Sequence, residues 1–227
     1  MKQEKLNIIY RGSNLENPIE ALRDGRPNGF DKRNSFYTLD RAIKYSKQIN
    51  KVYIIIDGDR GYLSDYIQSL GYDIIYINKK SNSLSLKYCY EFAKSLDNNN
   101  IYFVEDDYWH LENALDVINE GINSFGLVTG YDHTDRYTRT DDITHNKESI
   151  KISENHYWRT AESTTCTWGI SKSLYNEVFD IASTHLLEDR IFFRRLIIEK
   201  NIRLHTPIPS VSTHLMNDYI SPFFKFI

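Results

Sequence analysis

The sequence predicts an α/β fold in which helices flank a doubly wound, mostly parallel central sheet, followed by a less regular C-terminal half. Short apolar runs of β-favouring residues alternate with helical patterns through the first half of the chain, which is typical of parallel sheets. The runs at 52–56 and 101–104 end abruptly in carboxylates. Because open α/β sheets bind ligands at the carboxyl ends of their strands, these acids mark the predicted site.

The first half of the chain alternates predicted strands with predicted helices. The strands are short apolar runs that end near glycine, asparagine or acidic residues, at residues 6–10, 52–56, 72–77 and 101–104. The helices repeat apolar residues every three or four positions, over residues 17–23, 39–48, 63–70 and 85–96. Segments 11–14 and 24–35 are rich in glycine, asparagine and charge, which predicts loops.

The second half has weaker patterns. Helical spacing predicts helices over residues 111–120, 171–183 and 188–200. Apolar and Thr-rich stretches predict strands at 125–129, 158–168 and 204–206. Prolines predict a turn at 207–209. The polar composition of segment 141–155 predicts a loop at the surface.

Composition and charge limit the function classes. The net charge is −3, with 28 basic and 31 acidic residues, which argues against broad nucleic-acid binding because phosphate neutralisation dominates such binding. Cys89 and Cys166 have no metal-ligand spacing, and the N-terminal sequence does not resemble a signal peptide. No apolar run reaches the length of a membrane span. We therefore expect a cytoplasmic protein without a transmembrane segment, working inside a host cell if its source is viral.

Three consecutive carboxylates, Glu105, Asp106 and Asp107, follow the strand at 101–104. Gathering these charges is costly unless something neutralises them, and hard divalent cations bind carboxylate oxygens together with substrate phosphates. The cluster therefore suggests a metal that holds a phosphorylated ligand. The alternative is that Asp107 caps a helix beginning near Tyr108, where acidic residues are favourable. The residues of this segment leave both interpretations open.

Five local features, taken in order, carry a resemblance to a known enzyme class. They are Asp57 after the second strand, the acids 105–107, Trp168-Gly169 after a Thr-rich stretch, Glu188-Asp189 at a helix start, and Ser212-Thr213-His214. This order resembles the GT-A class of nucleotide-sugar glycosyltransferases, in particular the small family-two-like enzymes of bacteria and large DNA viruses. The resemblance implies one GT-A domain over 1–227, with a nucleotide-binding half at 1–107 and an acceptor-binding and catalytic half at 108–227.

The resemblance implies a metal ligand set. The acidic segment corresponds to the DxD-type motif, with Glu105 where the first Asp of the common pattern stands. Asp107 then looks like the ligand of Mn²⁺ or Mg²⁺, while Glu105 and Asp106 lie toward the ribose of the nucleotide or the waters of the metal. His214 resembles the C-terminal histidine that completes the metal shell. The alternative for His214 is an ordinary exposed or hydrogen-bonded histidine.

The resemblance also implies contacts to the nucleotide. Asp57 would contact the nucleobase, although an Asp before Gly58 is also a common turn residue. Arg11 could reach the nucleotide through its planar fork of donors, or form an ion pair at the surface. Lys32 and Arg33 are weaker candidates for binding the diphosphate.

Glu188 and Asp189 resemble the acidic pair in which inverting enzymes of this class keep their catalytic base. A single displacement needs one carboxylate to take the proton of the acceptor hydroxyl. We expect Asp189 to be that base, with Glu188 as the second choice. Both stand at a predicted helix start, where acids are favourable without any catalytic role.

Aromatic side chains are the expected platforms for sugar rings. Trp168 is the first choice because Gly169 would let a ligand approach the backbone. Polar residues that follow the strand at 125–129 would lie near the donor sugar. The expected sugar-binding residues are Trp168, Trp158, Tyr131, Asp132 and Arg136, with His133 and Asp135 beside them.

The predicted function is a metal-dependent, inverting transfer of a hexosyl or deoxyhexosyl group from a nucleoside diphosphate, with a UDP-sugar favoured, to a glycan or glycoconjugate hydroxyl. One alternative is a non-catalytic sugar-nucleotide or glycan-binding module. Another is a glycosyltransferase acting on modified DNA bases, which the net charge disfavours. A nucleotidyltransferase would need a Gly-rich basic loop after the first strand, where this chain has RGSN. The apolar segment 222–227 would dock on the domain, bind a partner or make peripheral contact with a membrane.

Overall fold

The computed structural model describes residues 4–14, 25–141, 143 and 147–226. Its strands, in chain order, are β1 (Leu6–Ser13), β2 (Ile49–Asp57), β3 (Ile74–Ile77), β4 (Asn100–Glu105), β5 (Tyr108–His110), β6 (Leu127–Val128), β7 (Ile150–Ile152), β8 (Tyr157–Ala161), β9 (Trp168–Ile170), β10 (Leu204–Ile208) and β11 (Ser212–His214). The helices are α1 (Lys32–Tyr45), α2 (Tyr62–Ser69), α3 (Asn82–Lys94), α4 (Ala114–Phe125), α5 (Lys172–Thr184) and α6 (Asp189–Lys200). Short 3₁₀ turns cover Thr134–Tyr137, Asn217–Tyr219 and Pro222–Phe226.

Nine strands form one sheet in the order β3-β2-β1-β4-β9-β6-β10-β8-β7. The strands β1 to β4 of the first half all pair in parallel, whereas β9 runs antiparallel between β4 and β6. Strands β5 and β11 form a separate antiparallel pair. The arrangement confirms the predicted α/β class, with parallel strands in the first half and a less regular C-terminal half.

Helices cover both faces of this sheet, which explains the nearly continuous apolar strands. In β4, Ile101 and Phe103 point into one core, which α3, α5 and α6 cover. Tyr102 and Val104 point into the opposite core, which α1, α2 and α4 cover. The site therefore lies at the edge of a sheet that packing holds rigidly from both sides.

Several predicted boundaries in the first half need correction. Strand β1 continues to Ser13 because Arg11 pairs with both β2 and β4, and residues 12 and 13 pair with β2. The predicted loop at 11–14 is therefore largely strand. The predicted loop at 24–35 ends at Asp31, whose side chain accepts a hydrogen bond from the Arg33 N–H and caps α1. Gly71 follows α2 in a left-handed conformation that is typical of helix ends, with a φ of +92°. The predicted helix at 17–23 lies outside the described residues.

The acidic segment precedes a strand, and the predicted helix at Tyr108 is wrong. Residues 108–110 form β5, in which Tyr108 pairs with His214 of β11, and α4 begins only at Ala114. Asp107 therefore caps no helix, which removes the structural alternative for this carboxylate.

Three further predictions in the second half are corrected. The predicted strand at 158–168 is two strands, β8 and β9, separated by residues 162–167. The predicted strand at 125–129 shrinks to β6 because α4 extends to Phe125 before Gly126 ends it. The turn predicted at 207–209 begins later, since β10 pairs with β8 as far as Ile208.

The C-terminal segment contacts the domain. Phe224 is buried, and the Ser221 N–H donates a hydrogen bond to Thr213 Oγ1 at 2.9 Å. Phe223 is exposed. Phe226 and Ile227 lie outside the described side chains. Within the ranges described above, no helix has the length and apolar character needed to cross a membrane.

Candidate functional site

Two adjoining cavities form the candidate site, and the first lies at the carboxyl edge of the parallel strands. The first has a volume of about 330 Å³ and brings cations and carboxylates together. Its charged lining residues are Arg11, Arg26, Lys32, Lys80, Asp57, Glu105, Asp106 and Asp107. Such a mixture can bind an anion and a cation side by side, as a metal-bound diphosphate requires.

Strand register places Arg11 next to Glu105 in the first cavity. The two residues pair across β1 and β4, and Arg11 Nε donates to Glu105 Oε1 at 3.1 Å. Arg11 Nη1 also donates to Ser85 Oγ at 2.9 Å. Burial and the neighbouring acids raise the pKa of Glu105 although Arg11 opposes them. Arg11 is thus a partly buried ion-pair residue on the cavity wall, and a nucleotide contact for it stays a prediction.

Asp106 joins two elements that border the first cavity. Its Oδ2 lies 2.9 Å from Lys32 Nζ and accepts a hydrogen bond from the Ser13 N–H at 3.0 Å. The contact ties the start of α1 to the end of β1. Lys32 and Ser13 both line the cavity, so this carboxylate positions a cation there.

Asp107 and His214 meet although they are 107 positions apart in the chain. His214 Nε2 lies 3.0 Å from Asp107 Oδ2, and Arg26 Nη2 lies 2.7 Å from the same oxygen. The β5–β11 pairing sets this geometry, and the His214 ring stacks on Tyr108 with centroids 5.1 Å apart. Burial acts to raise the pKa of Asp107, but His214 and Arg26 outweigh it and hold that pKa well below its usual range.

The donor set around Asp107 fits a divalent cation that shares its shell with a ligand. Among the described residues no three or more His, Cys, Asp or Glu side chains converge as a preformed metal cluster. Asp107 Oδ1, however, is buried and has no hydrogen-bond partner within the described part of the chain. A carboxylate oxygen suits Mn²⁺ or Mg²⁺, and Mg²⁺ is commonly bound by one or two carboxylates plus phosphate oxygens.

Asp57 organises a loop that borders the first cavity. Its Oδ1 accepts hydrogen bonds from the backbone N–H groups of Lys79 and Lys80, at 2.7 and 3.1 Å. Ser81, at 3.4 Å from Oδ2, is a weaker third partner. Asp57 is buried and lines the cavity. A contact with the nucleobase stays a prediction, and the described partners of this carboxylate are backbone amides.

The second cavity, of about 470 Å³, adjoins the first through the Asp107–His214 contact. Asp107 lines the first cavity, and His214 lines the second. The second cavity lies between β11, the turn Thr134–Tyr137 and the start of α6, and Asp189 and Glu188 both line it. The structure therefore brings the implied metal ligands and the implied base to adjoining spaces.

Asp189 has the environment of a tuned carboxylate. Burial and the charge of Glu105 raise the pKa of Asp189 to about 6. Cys166 Sγ lies 3.4 and 3.5 Å from its two oxygens, and burial keeps that thiol protonated by raising its pKa. Glu188 is more exposed and lies 3.1 Å from His185 Nδ1. Asp189 is thus the better placed of the two predicted bases, and its role stays a prediction.

The predicted stacking of sugars on Trp168 and Trp158 is wrong because both side chains are fully buried. Trp168 packs on Phe103 and Phe192 in the core beneath α6. Trp158 fills the opposite core above Gly121, where an added Cβ would lie 2.2 Å from the indole. Both large rings complete the packing between sheet and helices and present no face to a ligand.

The other predicted sugar-binding residues divide between core and cavity. Tyr131 is buried and donates its hydroxyl hydrogen bond to the Tyr219 carbonyl. Asp132 turns inward and accepts a hydrogen bond from Arg159 Nε at 2.8 Å. Neither residue lines the two cavities. Arg136 does line the second cavity, where it donates to Ser163 Oγ at 2.6 Å.

Sequence reasoning missed Arg26, Cys166 and Glu162. Arg26 stands in a polar loop without periodicity, and its only signal was a basic residue near a predicted phosphate site. For Cys166, the sequence shows only a cysteine without metal-ligand spacing. Glu162 is fully buried and forms ion pairs with three arginines, Arg136, Arg190 and Arg194. The i, i+4 spacing of Arg190 and Arg194 was a readable hint of a shared carboxylate partner.

Sequence comparison identifies no matching family and no matching curated protein. Solved structures nevertheless share the fold. CMP:2-keto-3-deoxy-manno-octonic acid synthetase complexed with CTP gives a TM-score of 0.52 at 12% identity, covering 89% of this chain and 88% of that one. The 4-diphosphocytidyl-2C-methyl-D-erythritol synthase of Anaerococcus prevotii gives 0.52 at 14%, covering 90% and 86%. TarS of S. aureus gives 0.50 at 13%, covering 89% of this chain but 35% of TarS.

Proposed function

We propose that this protein is a metal-dependent glycosyltransferase that moves a sugar from a nucleoside diphosphate, with UDP favoured, to a hydroxyl of a glycan or glycoconjugate. The observation that carries the proposal is the Asp107–His214 contact, at 3.0 Å, where the two cavities adjoin. A transfer between two substrates needs two adjoining binding spaces, with the reacting atoms at their junction.

The first cavity suits the nucleotide half of the donor. Arg26 and Lys32 neutralise Asp107 and Asp106, and both cations line the same space. A divalent cation that enters with the diphosphate would neutralise Asp107 and Asp106 in place of Arg26 and Lys32. The two basic side chains would then be released to bind phosphate oxygens. The synthetase solved with CTP has the same fold, which supports a nucleotide ligand at this sheet edge.

Asp107 and His214 are the residues that would hold Mn²⁺ or Mg²⁺. When bound there, the cation would stabilise the charge that develops on the leaving diphosphate as a Lewis acid. The protein's part is to hold the two ligands rigidly through the β5–β11 pairing. Asp107 Oδ1, which has no hydrogen-bond partner among the described residues, gives the carboxylate one oxygen that protein contacts do not occupy.

Asp189 would act as the base in the second cavity. The acceptor oxygen attacks the anomeric carbon of the donor sugar while a carboxylate oxygen of Asp189 takes the hydroxyl proton. The bond between the anomeric carbon and the diphosphate oxygen breaks, its electron pair leaves with the diphosphate, and the configuration inverts. A pKa of about 6 keeps Asp189 mostly ionised at neutral pH yet basic enough for this transfer.

The nearest enzymatic rival is nucleotidyl transfer, since two synthetases of cytidine-containing products share the fold. The position of Asp189 in a separate second cavity favours glycosyl transfer. Turnover distinguishes the two reactions, because glycosyl transfer releases a nucleoside diphosphate whereas nucleotidyl transfer releases pyrophosphate.

The test incubates the protein and Mn²⁺ with UDP-, GDP- and dTDP-sugars plus a mixture of sugar glycosides as hydroxyl acceptors, and separately with nucleoside triphosphates plus sugar phosphates, and quantifies both products. We expect nucleoside diphosphate release from at least one sugar donor, reduced at least about a hundredfold by Asp107→Ala. Asp65→Ala is the matched control, because Asp65 pairs with Arg60 at the surface away from both cavities. Pyrophosphate release would establish the rival, and binding without either product would indicate a non-catalytic module.

A further inference from the structure

The buried side of the second cavity presents an unsatisfied imidazole. His133 is 7% exposed and lines this cavity, and neither of its ring nitrogens has a hydrogen-bond partner among the residues that the structure describes. Asp135 Oδ1 lies 3.2 Å from His133 Nδ1, without hydrogen-bond alignment. An unpartnered imidazole in the wall of a cavity is suited to a hydroxyl ligand, which can both donate and accept a hydrogen bond.

The outer edge of the same cavity is apolar. Leu187, Ile191 and Tyr219 line it and are 41%, 45% and 40% exposed. Leu187 has a φ of +62°, a left-handed conformation that is costly for a residue with a branched side chain. The conformation holds this leucine outward, directly before Glu188 and Asp189. Strain of this kind at an exposed apolar residue beside a cavity points to a ligand contact.

We propose that the second cavity binds an acceptor sugar that carries an apolar aglycone, an inference that rests on the proposed function. His133 binds one sugar hydroxyl while another hydroxyl faces Asp189. The aglycone leaves the cavity over Leu187 and Ile191, which bury part of its surface. The acceptor class is therefore a glycoside with an alkyl or aryl group, and a free polar sugar is a poorer ligand.

The test measures the affinity of methyl, hexyl and phenyl β-glycosides of glucose, galactose and mannose by calorimetry, with Mn²⁺ and UDP present. Leu187→Asn removes the apolar surface while keeping a residue that tolerates the left-handed conformation, and Ile191→Gln does so on α6. Ile198→Gln is the matched control, since Ile198 is exposed on the same helix and does not line the cavity. His133→Phe removes the hydrogen-bonding nitrogens, with His156→Phe as its control outside both cavities.

We expect hexyl or phenyl glycosides of one sugar to bind at least about tenfold more tightly than the methyl glycoside. The Leu187→Asn and Ile191→Gln variants should lose that advantage, and Ile198→Gln should keep it. His133→Phe should weaken all three glycosides about tenfold or more, and His156→Phe should not. A stronger hexyl than phenyl effect indicates a lipid-like chain, and the reverse indicates an aromatic group.

Equal affinity for the three glycosides, no binding of any of them, or unchanged binding in His133→Phe would overturn the inference. UDP binding in the first cavity is measured in every variant and reports folding independently. If the wild-type protein shows no Mn²⁺-dependent UDP binding, that result would instead count against the proposed function. The two failures are therefore distinguishable.

Discussion

His214 Nε2 lies 3.0 Å from Asp107 Oδ2 because Asp107 directly precedes β5 and His214 pairs with Tyr108 at that end of the antiparallel β5–β11 pairing. A backbone hydrogen bond from the Leu215 N–H to the Asp107 carbonyl, at 2.9 Å, also holds these two chain segments together. The side chains are therefore positioned by main-chain hydrogen bonds from both sides. This rigidity is what a metal ligand pair requires, since ligand geometry is set before the cation binds.

The first prediction concerns His214. His214→Ala should weaken Mn²⁺ affinity in the presence of UDP by about tenfold to a hundredfold, because it removes one of the two proposed protein ligands. A Mn²⁺ titration followed by UDP-dependent heat release measures this effect. His156→Ala serves as the control, since His156 pairs with Glu120 outside both cavities. An unchanged titration would make His214 an ordinary hydrogen-bonded histidine.

The second prediction concerns pH. If Asp189 is the base, kcat/KM should fall about tenfold per pH unit below a pH of about 6. Cys166→Ala removes a thiol hydrogen bond that lowers the pKa of Asp189, so this limb of the pH profile should move to higher pH. If kcat/KM at saturating Mn²⁺ does not change between about pH 5 and about pH 8, Asp189 is not the base.

The third prediction links the same carboxylate to stability. Because the pKa of Asp189 is raised from 3.8 to about 6, ionised Asp189 opposes folding. This penalty is absent below about pH 4 and fully present above about pH 6. Asp189→Asn should therefore raise the free energy of unfolding at about pH 8 by about 1 to 3 kcal/mol and change it little at about pH 4.

The same variant separates stability from catalysis. Asp189→Asn should bind Mn²⁺ and UDP normally, because Asp189 lies outside the first cavity, and should lose transfer by at least about a hundredfold. Denaturant titration at both pH values and a turnover assay supply the measurements. Glu188→Gln is the matched control, and surviving transfer in Asp189→Asn would assign the base elsewhere.

The fourth prediction tests the loop held by Asp57. Asp57→Ala leaves the N–H groups of Lys79 and Lys80 without their carboxylate acceptor, which should cost about 1 to 3 kcal/mol of stability. UDP affinity should fall with it, because Lys80 lines the first cavity. Asp57→Asn retains an acceptor oxygen and should recover most of the stability. If Asp57→Asn loses UDP affinity but not stability, Asp57 contacts the nucleotide directly.

The fifth prediction concerns the buried Trp168. Trp168→Ala should lower the free energy of unfolding by about 3 to 5 kcal/mol, as expected for a large core side chain. Trp168→Phe retains most of the packing and should keep glycoside binding at the wild-type level. A selective loss of glycoside binding in Trp168→Phe, with stability unchanged, would restore the role predicted from the sequence.

Local patterns predicted the parallel half of the fold. Strands β1, β2 and β4 are apolar runs because helices cover both faces of the sheet, and the acids at the ends of β2 and β4 lie at the sheet edge as expected. The β5–β11 pairing left no such signal, since each strand has three residues and the partners are about a hundred positions apart. Residues 108–110 were therefore predicted as a helix start.

Aromatic residues and ion pairs were harder to place. Nothing local distinguishes a tryptophan that completes a core from one that faces a ligand, and both Trp158 and Trp168 proved to be core. Asp132 was predicted to lie near the donor sugar because it follows a strand, yet the Arg159 guanidinium from β8 holds it inside. The acidic segment was placed correctly, whereas its partners Arg26 and Lys32 come from a loop and a helix that local spacing does not connect to it.

The most direct test of the central claim is calorimetric titration of UDP into wild-type protein and Asp107→Ala, with and without Mn²⁺. The proposed site predicts that UDP binds the wild-type protein at least about tenfold more tightly with Mn²⁺, and that Asp107→Ala loses this dependence while remaining folded. Binding of UDP that is equally strong with and without Mn²⁺, or that Asp107→Ala leaves unchanged, would contradict a metal-bound diphosphate at Asp107 and His214.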